Sequence, residues 1–458
     1  MILSVYKKRI SFSCGEKMSF SDTISDLKTI FEAVLFEIDP KKRLAEVIRK
    51  DKDGIYIQER RVTGSLVVLA LGKAASQMAF DVECIVGSRI TKGLVVTKLN
   101  HTVPLTHCSC IESSHPVPTE LSEKAAYAVK SFVSGLTSKD QLLVLLSGGT
   151  SSLIASPLPG ISLDDMRVTT SRLLESGASI EEFNSVRKHL TDLSGGRLLS
   201  LVPCPVELLV ISDVLSDRLE CIGSGPFTPD TTTFQEAYEV IKKYNLISKV
   251  PLAVTSFLEK GMEGQIEESP KPQTLLEKEY YPLILSSNKE AIKAAAHAAK
   301  EKGYLPYILK MPLVGEAKEA GKALAIMAKK ISKMCSQPIM IITGGETTVT
   351  LGAFYGKGGR CQELALAAAL ELNGDPNIAI LAAGTDGTDG PTDAAGAFID
   401  FSHILSTEMR DSAQKALDEH NAYPFFKKIQ CLYITGPTGN NVNDLVLIAI
   451  YPFSNKNK

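Results

Sequence analysis

The residues best suited to chemistry collect in three glycine-rich segments between Gly344 and Asp393. Each segment follows or flanks an apolar run, so its polar atoms lie where a strand should end. Glycines let a backbone approach a ligand and point its N–H groups at it, while carboxylates accept hydrogen bonds and basic side chains attract anions. This combination suits a polyanion together with a metal ion. The segments are Gly344-Gly345-Glu346-Thr347-Thr348, Gly356-Lys357-Gly358-Gly359-Arg360-Cys361-Gln362-Glu363 and Gly384-Thr385-Asp386-Gly387-Thr388-Asp389-Gly390-Pro391-Thr392-Asp393.

A basic residue in the first half of the chain has a comparable position. Lys73 follows the apolar run Ser65–Leu71 and precedes a helical pattern. It therefore lies at the carboxyl end of a predicted strand, where open α/β sheets bind their ligands. The alternative is a solvated lysine in the first turn of a helix. Likewise, one glycine-rich segment alone would more often be an ordinary turn, but three in one short region favour a ligand site.

Glycine and hydroxyl residues after the strand predicted over residues 142–146 form a further candidate loop. Its N–H and O–H groups could bind phosphate or sugar oxygens without any net charge, although a helix N-cap would look similar. The loop is Ser147-Gly148-Gly149-Thr150-Ser151-Ser152.

A helix predicted farther along the chain presents several polar side chains on one face. Asn184, Arg187 and Lys188 lie three or four residues apart, so we expect them to point towards one site. His189 alone is more typical of a structural histidine.

A hydroxyl and a carboxylate follow the strand predicted over residues 206–211. These are Ser212 and Asp213. The carboxylate suits a contact with substrate or with metal-bound water, and an Asx-turn is the alternative.

Composition limits the classes of function. The 458 residues contain 50 basic and 52 acidic residues, so the formal charge of −2 gives no electrostatic footprint for nucleic acid. No apolar run approaches the roughly 18 residues of a membrane span, so we expect a soluble protein without a membrane partner. Nine scattered cysteines without a Cys-x-x-Cys pair favour a reducing compartment.

Strand and helix patterns alternate along the chain, which favours layered α/β domains. A polar segment over residues 261–278 indicates a boundary. We predict an N-terminal extension over residues 1–21, a Rossmann-like domain with a mostly parallel sheet over 22–265 and a linker over 266–280. A C-terminal α/β domain with a mixed sheet follows over 281–458, and the active site is expected in the cleft between the two domains.

Two finer predictions concern the second domain. A strand over residues 281–285 is expected to open it. The last two apolar strands, over residues 431–434 and 445–450, have no helical pattern between them and are expected to form a hairpin.

Familiar nucleotide and hydrolase motifs are missing from the sequence. The segment from Gly352 to Gly358 is one residue too short for a P-loop and lacks the hydroxyl after its lysine. No G-x-G-x-x-G follows the first long strand, and no G-x-S-x-G or zinc-hydrolase histidine pair occurs. The clustered cations, acids and glycines instead meet the needs of phosphoryl transfer, which asks mainly for charge neutralisation and positioning.

The motifs taken together resemble the glycerate kinases of the MOFRL type over nearly the whole chain. They are Gly72-Lys73-Ala74, Ser147-Gly148-Gly149-Thr150-Ser151, Ser212-Asp213-Val214, Gly344-Gly345-Glu346-Thr347-Thr348, Gly358-Gly359-Arg360-x-Gln362-Glu363, Gly384-Thr385-Asp386-Gly387-Thr388-Asp389-Gly390 and Thr438-Gly439-x-Asn441-Val442-x-Asp444. One departure is Cys361, which stands where the family commonly has asparagine.

The resemblance implies ATP- and Mg²⁺-dependent phosphorylation of D-glycerate to 2-phosphoglycerate. Lys73 and Arg360 match the family's suspected catalytic cations and are expected to hold the glycerate carboxylate or the transferred phosphoryl group. Asp386 would orient or deprotonate the attacking hydroxyl, and Glu346 and Asp389 would act on Mg²⁺. The expected substrate- and nucleotide-binding residues are Ser147, Gly148, Gly149, Thr150, Ser151, Asn184, Arg187, Ser212, Asp213, Gly344, Gly345, Gly358, Gly359, Gly384, Thr385 and Asn441.

Two other functional classes stay open at this stage. One is an NAD(P)-dependent hydroxypyruvate reductase, and the other is a non-catalytic module that binds a sugar phosphate or a nucleotide. We expect a cytoplasmic monomer or homodimer. The basic, serine-containing first residues leave mitochondrial targeting as an alternative location, with Met18 as a possible second start.

Overall fold

Two six-stranded sheets organise the part of the chain that the structure, a computed structural model, describes, namely residues 20–403 and 406–452. The predicted extension over residues 1–21 lies almost wholly outside these ranges. The strands of the first part are β1 (Ile48–Asp51), β2 (Gly54–Ile57), β3 (Arg60–Arg61), β4 (Ser65–Leu71), β5 (Ile90–Lys98), β6 (Cys108–Ser113), β7 (Asp140–Leu146), β8 (Val206–Ile211) and β9 (Tyr280–Ser286). Its helices are α1 (Phe20–Glu37), α2 (Pro40–Val47), α3 (Ala75–Val86), α4 (Glu120–Ser134), α5 (Thr150–Leu153), α6 (Leu163–Glu175), α7 (Ile180–Lys188), α8 (Arg197–Leu201), α9 (Phe234–Lys243) and α10 (Leu252–Met262).

The first sheet is parallel throughout and has the strand order β6-β5-β4-β7-β8-β9. Its central strands are continuous apolar runs because both faces are covered by helices. In β4, Val67 and Leu69 face one core while Val68 and Ala70 face the other. All the carboxyl ends of these strands therefore lie along one edge of the sheet, which confirms the predicted mostly parallel sheet.

The second sheet is mixed, as predicted, with the order β10-β11-β15-β12-β13-β14. The long apolar strand β15 runs antiparallel to both of its neighbours and is buried along its whole length. Its strands are β10 (Leu305–Ile308), β11 (Ile339–Gly345), β12 (Ile378–Gly384), β13 (Gly396–Ile399), β14 (Leu432–Tyr433) and β15 (Asp444–Ile450). Its helices are α11 (Asn288–Glu301), α12 (Ala317–Ser332), α13 (Arg360–Leu372), α14 (Thr407–Asp418) and α15 (Ala422–Lys428).

The predicted hairpin between the last two strands is wrong. β14 pairs with β13 at the edge of the sheet, whereas β15 lies between β11 and β12. The loop between β14 and β15 therefore crosses the sheet instead of reversing the chain tightly. A fully apolar strand such as β15 is better satisfied at the centre of a sheet, where both faces are buried, than in an edge hairpin.

Two elements lie in a different half from the one predicted. β9, expected to open the second domain, pairs in parallel with β8 and so belongs to the first sheet. Helix α1, expected in the first domain, packs on the second half: the ring of Phe31 lies 5.3 Å from that of Tyr433, and Lys28 lies over Phe398. The predicted domain limits stay a prediction, but these two elements tie the halves together.

A separate helical layer positions part of the site. Helices α6, α7, α9 and α10 share a small apolar core that includes Phe183, Phe234 and Phe257. This core holds α7 beside the carboxyl edge of the first sheet.

Within residues 20–403 and 406–452, no helix has both the length and the apolar character needed to cross a membrane.

Candidate functional site

The polar ends of the two sheets face each other. In the first sheet, residues at the carboxyl ends of β4, β5, β7 and β8 lie along one edge. In the second sheet, the ends of β11 and β12 lie beside the start of the antiparallel β15. The polar residues there are Lys73, Lys98, Ser147, Asp213, Glu346, Asp386 and Asp444.

One asparagine joins the two edges directly. The side-chain amide of Asn443 donates to the backbone oxygen of Asp213 at 3.0 Å and to Oε2 of Glu346 at 3.0 Å. Asn443 is buried, so its amide is shielded from water, whereas Glu346 is exposed. The loop before β15 thus fixes the first sheet against the second at the candidate site.

Lys73 is held by its backbone and leaves its ammonium group available. Its N–H donates to the oxygen of Gly148 at 2.9 Å, and its own oxygen accepts a bond from Thr97 Oγ1 at 3.3 Å. Gly149 has a φ of 85°, and a Cβ there would lie 3.1 Å from Lys73 Cγ. The side chain therefore passes over this glycine. Among the described residues, Nζ of Lys73 has no hydrogen bond or ion pair.

A second lysine lies next to it. Lys98 ends β5, directly after Thr97, and is also without an ion pair in the described part of the chain. Burial lowers the pKa of Lys98, the charge of Lys73 lowers it further, and Asp386 opposes the shift. The same two lysines act on His115: burial, then Lys73 and Lys98, lower its pKa to about 4, so this imidazole is neutral at pH 7.

A cavity of about 540 Å³ opens beside these groups. Arg187 lines it, lies over the ring of Phe183 at 5.1 Å, and makes no ion pair among the described residues. Burial lowers the pKa of Arg187 to about 10, so it stays charged at neutral pH. The Asn184 amide nitrogen on the same wall is buried without a partner. Both groups are hydrogen-bond donors without an acceptor among the described residues. We name this space the anion cavity.

Asp213 contributes a carboxylate to the anion cavity. A Cβ on Gly148 would lie 1.7 Å from its Oδ2, so only glycine leaves room for this side chain. Burial raises the pKa of Asp213, and the positive charge of Lys73 partly opposes that shift. A carboxylate with a raised pKa beside a cation suits the acceptance of a proton from a hydroxyl.

Arg360 is a different kind of cation because it is already paired. Nε and Nη2 bind the two oxygens of Asp444 at 2.6 and 3.0 Å, and Nη1 binds Glu346 at 2.6 Å. Burial would lower the pKa of Arg360, but the bonds and charge of Asp444 raise it overall. Burial also raises the pKa of Asp444, against the effect of Arg360.

A further cavity of about 540 Å³ lies on the second half. It shares Glu346 and Thr348 with the anion cavity, so the two spaces adjoin. Tyr355, Glu363 and Asp386 also line it. We name it the acidic cavity. A substrate of two chemically distinct parts could therefore span both spaces.

Comparison with known proteins identifies the family. A family model described as a domain of unknown function (DUF4147) matches residues 26–259, and the MOFRL family model matches residues 339–444. The chain is 37% identical over 430 residues to glycerate 2-kinase of Pyrococcus horikoshii, which covers 93% of this chain and 96% of the relative. It is 39% identical over 428 residues to D-glycerate 2-kinase of Thermotoga maritima, with 90% and 99% covered.

The chain belongs to the glycerate kinase family of the MOFRL type. A crystal structure of glycerate kinase from Thermotoga maritima superimposes with a TM-score of 0.81 at 37% identity, covering 94% of this chain and all of that one. Another relative, 37% identical over 432 residues with 93% and 94% covered, is named a putative hydroxypyruvate reductase of Agrobacterium vitis. The resemblance and the α/β fold class predicted from the motifs are confirmed.

The geometry argues against the predicted metal role of Asp389. Its two carboxylate oxygens accept the N–H groups of Cys361 at 3.0 Å and Gln362 at 2.8 Å, so it caps the start of α13. Burial raises the pKa of Asp389 to about 7, although these backbone bonds oppose the shift. Both oxygens of Glu346 are also occupied, by Arg360 and Asn443. Across the described ranges, no cluster of three His, Cys, Asp or Glu could hold a metal ion.

Several predicted binding residues of this family member serve the backbone instead of an open space. The hydroxyl of Ser147 accepts a bond from the N–H of Ala74, and that of Thr150 donates to Ser147. The following residues likewise bond within their own loops or pack against neighbouring residues: Ser212, Gly344, Gly345, Gly384, Thr385 and Asn441. By contrast, Gly149, Ser151, Asn184, Arg187 and Asp213 line the anion cavity, and Gly358, Gly359, Arg360, Asp386 and Asp389 line the acidic cavity.

Of Asn184, Arg187 and Lys188, expected to point towards one site, Asn184 and Arg187 line the anion cavity. Lys188 pairs instead with the buried carboxylate of Asp230 at 3.2 Å. His189 is structural, as expected: it is fully buried and bonded to Ser185 and Glu268.

Five residues of the site escaped the sequence-based predictions as functional groups. They are Lys98, His115, Glu363, Asn443 and Asp444. Lys98 follows the same rule as Lys73, since it ends a parallel strand, but no glycine marks the position. Glu363 and Asp444 are part of the family motifs, which gave no role for either.

Proposed function

We propose that the chain transfers the γ-phosphoryl group of ATP to the 2-hydroxyl of D-glycerate. The observation that carries this proposal is the set of three cations without ion pairs among the described residues, Lys73, Lys98 and Arg187, beside a carboxylate at the meeting edges of the sheets. A phosphoryl donor and a carboxylate substrate both need such charges. The names of the two relatives above support the choice of substrate and of the 2-position.

Glycerate is placed in the anion cavity. Its carboxylate would accept bonds from the Arg187 guanidinium and from the unpaired amide of Asn184. Its 2-hydroxyl would then lie near Asp213, which accepts the proton as the hydroxyl attacks phosphorus. This assigns the base to Asp213, while Asp386, the earlier expectation, lies in the adjoining cavity.

Lys73 and Lys98 neutralise the transferred phosphoryl group. Their charges are close enough to influence one another, and neither is cancelled by a partner in the described residues. Fixed cations at the place where charge develops stabilise a transition state without reorganisation. The charge of Arg360 is neutralised by Asp444 and Glu346, so this residue acts mainly by holding Glu346 at the junction of the cavities.

The proposal includes Mg²⁺ only as the ion bound to the nucleotide phosphates. The occupied oxygens of Glu346 and Asp389 do not form a ready site for a resident ion, and Mg²⁺ commonly binds through substrate phosphates with few protein ligands. Asp386 has one carboxylate oxygen without a hydrogen bond within the described ranges and is the most suitable acid to contact such a complex.

Phosphorus NMR tests the proposal directly. The full chain is incubated with ATP, MgCl₂ and D-glycerate, and the products are recorded. We expect ADP and 2-phosphoglycerate. 3-Phosphoglycerate would contradict the position, and the absence of any new phosphate ester would contradict the activity.

A hydroxypyruvate reductase is the second candidate because one relative has that name. The same preparation is mixed with hydroxypyruvate and NADH or NADPH, and absorbance at 340 nm is followed. We expect no oxidation of either cofactor. A cytoplasmic location and a monomeric or dimeric state stay predictions.

A further inference from the structure

The two adjoining cavities differ in whether their cations are already paired. The acidic cavity is lined by Glu346, Glu363 and Asp386, and its guanidinium, Arg360, is already paired with two carboxylates. The anion cavity is also lined by carboxylates, but its guanidinium, Arg187, makes no ion pair among the described residues, and the unpaired Lys73 and Lys98 lie beside it. A nucleoside triphosphate has one uncharged end and one polyanionic end. The phosphates are therefore favoured on the basic side and the nucleoside on the acidic side.

Glu363 provides an unused acceptor in the acidic cavity. The residue is only 3% exposed, and its Oε2 lies 2.8 Å from Nδ1 of His420, which also lines the cavity. Its other oxygen, Oε1, is buried without a partner in the described residues. A buried acceptor left unpaired costs free energy, so it favours a ligand that brings a donor. The hydroxyls of a ribose are such donors.

An exposed aromatic ring also lines the same cavity. Tyr355 belongs to the loop between β11 and α13 and is 61% exposed. Exposed aromatic rings are favourable platforms for stacking of a nucleobase. The neighbouring Phe354 is 92% exposed but does not line the cavity, which makes it a matched control.

We propose that the acidic cavity is the nucleoside subsite, in which Tyr355 stacks on the base and Glu363 accepts a hydrogen bond from a ribose hydroxyl. The inference rests on the proposed kinase function. The cavity's volume of about 540 Å³ lies within the usual range of small-molecule sites, roughly 300–1,000 Å³. The triphosphate would then extend past Glu346 and Asp386 towards Lys98 and Lys73.

Calorimetry of ADP binding to the full chain tests the stacking contact. Tyr355→Ala should weaken the affinity about tenfold, because base stacking on an aromatic ring is worth roughly 1–3 kcal/mol. Tyr355→Phe and Phe354→Ala should leave it unchanged. Equal ADP affinities for Tyr355→Ala and Phe354→Ala would overturn the subsite.

The ribose contact is tested with 2′-deoxy-ADP and 3′-deoxy-ADP. The wild-type chain should bind one of them about tenfold more weakly than ADP, and Glu363→Gln should reduce that preference. A preference that is unaltered in a folded Glu363→Gln variant would overturn the role of Glu363. If that variant fails to fold, wild-type affinities that are equal for all three nucleotides would do the same.

These experiments distinguish a failure of the nucleoside subsite from a failure of the proposed kinase activity. A chain that phosphorylates D-glycerate but binds ADP independently of Tyr355 loses the subsite alone. A chain that binds ADP through Tyr355 but leaves D-glycerate untouched loses the proposed activity alone.

Discussion

The guanidinium of Arg360 binds both carboxylate oxygens of Asp444, a residue 84 positions farther along the chain. The pair lies at the start of β15, and the carboxylate is buried. Such a pair costs much to break from one side, because the remaining charge is left without a partner. Arg360 therefore has a structural role in addition to any role in catalysis.

Replacing Arg360 should destabilise the fold as well as lower activity. In Arg360→Ala the buried Asp444 loses its partner, so we expect the free energy of unfolding in urea to fall by roughly 3 kcal/mol. The double variant Arg360→Ala, Asp444→Asn should recover part of that loss, because no buried charge is then left without a partner. Unchanged stability with abolished turnover would assign Arg360 to catalysis alone.

The two unpaired lysines should behave in the opposite way. Lys73→Ala and Lys98→Ala should each lower kcat by roughly 100-fold, the scale of losing one group that stabilises transition-state charge. Their unfolding free energies should not fall, because neither lysine makes an ion pair among the described residues and the charge of Lys98 is disfavoured by burial and by Lys73. Lys92, at the other end of β5, is the control, and Lys92→Ala should keep full activity. Normal turnover in both test variants would dismiss the proposed roles.

Arg187 should affect glycerate and not ATP. Arg187→Ala removes the proposed carboxylate contact, so we expect the KM for D-glycerate to rise about tenfold to a hundredfold, on the scale of a charged hydrogen bond. The KM for ATP should not change. Arg172→Ala, on the exposed side of α6, serves as the control. A rise in the KM for ATP instead would place Arg187 against the nucleotide phosphates.

As the pH is lowered, activity should be lost at a pH higher than the usual pKa of an aspartate. Burial raises the pKa of Asp213, and a base must be ionised to accept a proton. On acidification, kcat/KM should therefore fall through a pKa that lies above about 3.9, the ordinary value for aspartate. In Lys73→Gln the positive charge that lowers this pKa is gone, and the acid limb should move to higher pH. An acid limb at the same pH in both proteins would contradict the assignment of Asp213.

Asp389 offers a test between a cap and a metal ligand. An amide in Asp389→Asn has one acceptor oxygen for two N–H donors of α13, so we expect a loss of about 1 kcal/mol of stability with or without Mg²⁺. The Mg²⁺ dependence of turnover should be unchanged. A large rise in the Mg²⁺ requirement at unchanged stability would restore the metal role.

The pH dependence of stability gives a second readout for Asp389. Burial raises its folded-state pKa to about 7, so the folded chain binds this proton more tightly than the unfolded chain does. Its contribution to stability should therefore decline as the pH rises from about 3.9 to about 7. Asp389→Asn should lack that decline.

Local rules predicted much of the site. An apolar run followed by glycine or a polar residue correctly indicated that Lys73, Asp213 and Asp386 follow strands. The same rule, applied to β5, would have included Lys98, which ends that strand.

Partnerships between distant residues could not be read from local patterns. The bond of Arg360 to Asp444, the cap of α13 by Asp389 and the addition of β9 to the first sheet all depend on how whole layers pack. Sheet membership in particular follows from burial on both faces, which periodicity within one strand does not specify.

The central place of β15 has a consequence for synthesis. This strand follows every other described strand in the chain, yet it separates β11 from β12. Until residues 444–450 leave the ribosome, those two strands have open edges that are prone to join other chains. Asp444, the partner of Arg360, is the first residue of that late strand, so this ion pair can form only after the strand has been synthesised. We therefore expect the second sheet and the Arg360–Asp444 pair at the site to be completed together, after β15 has been synthesised.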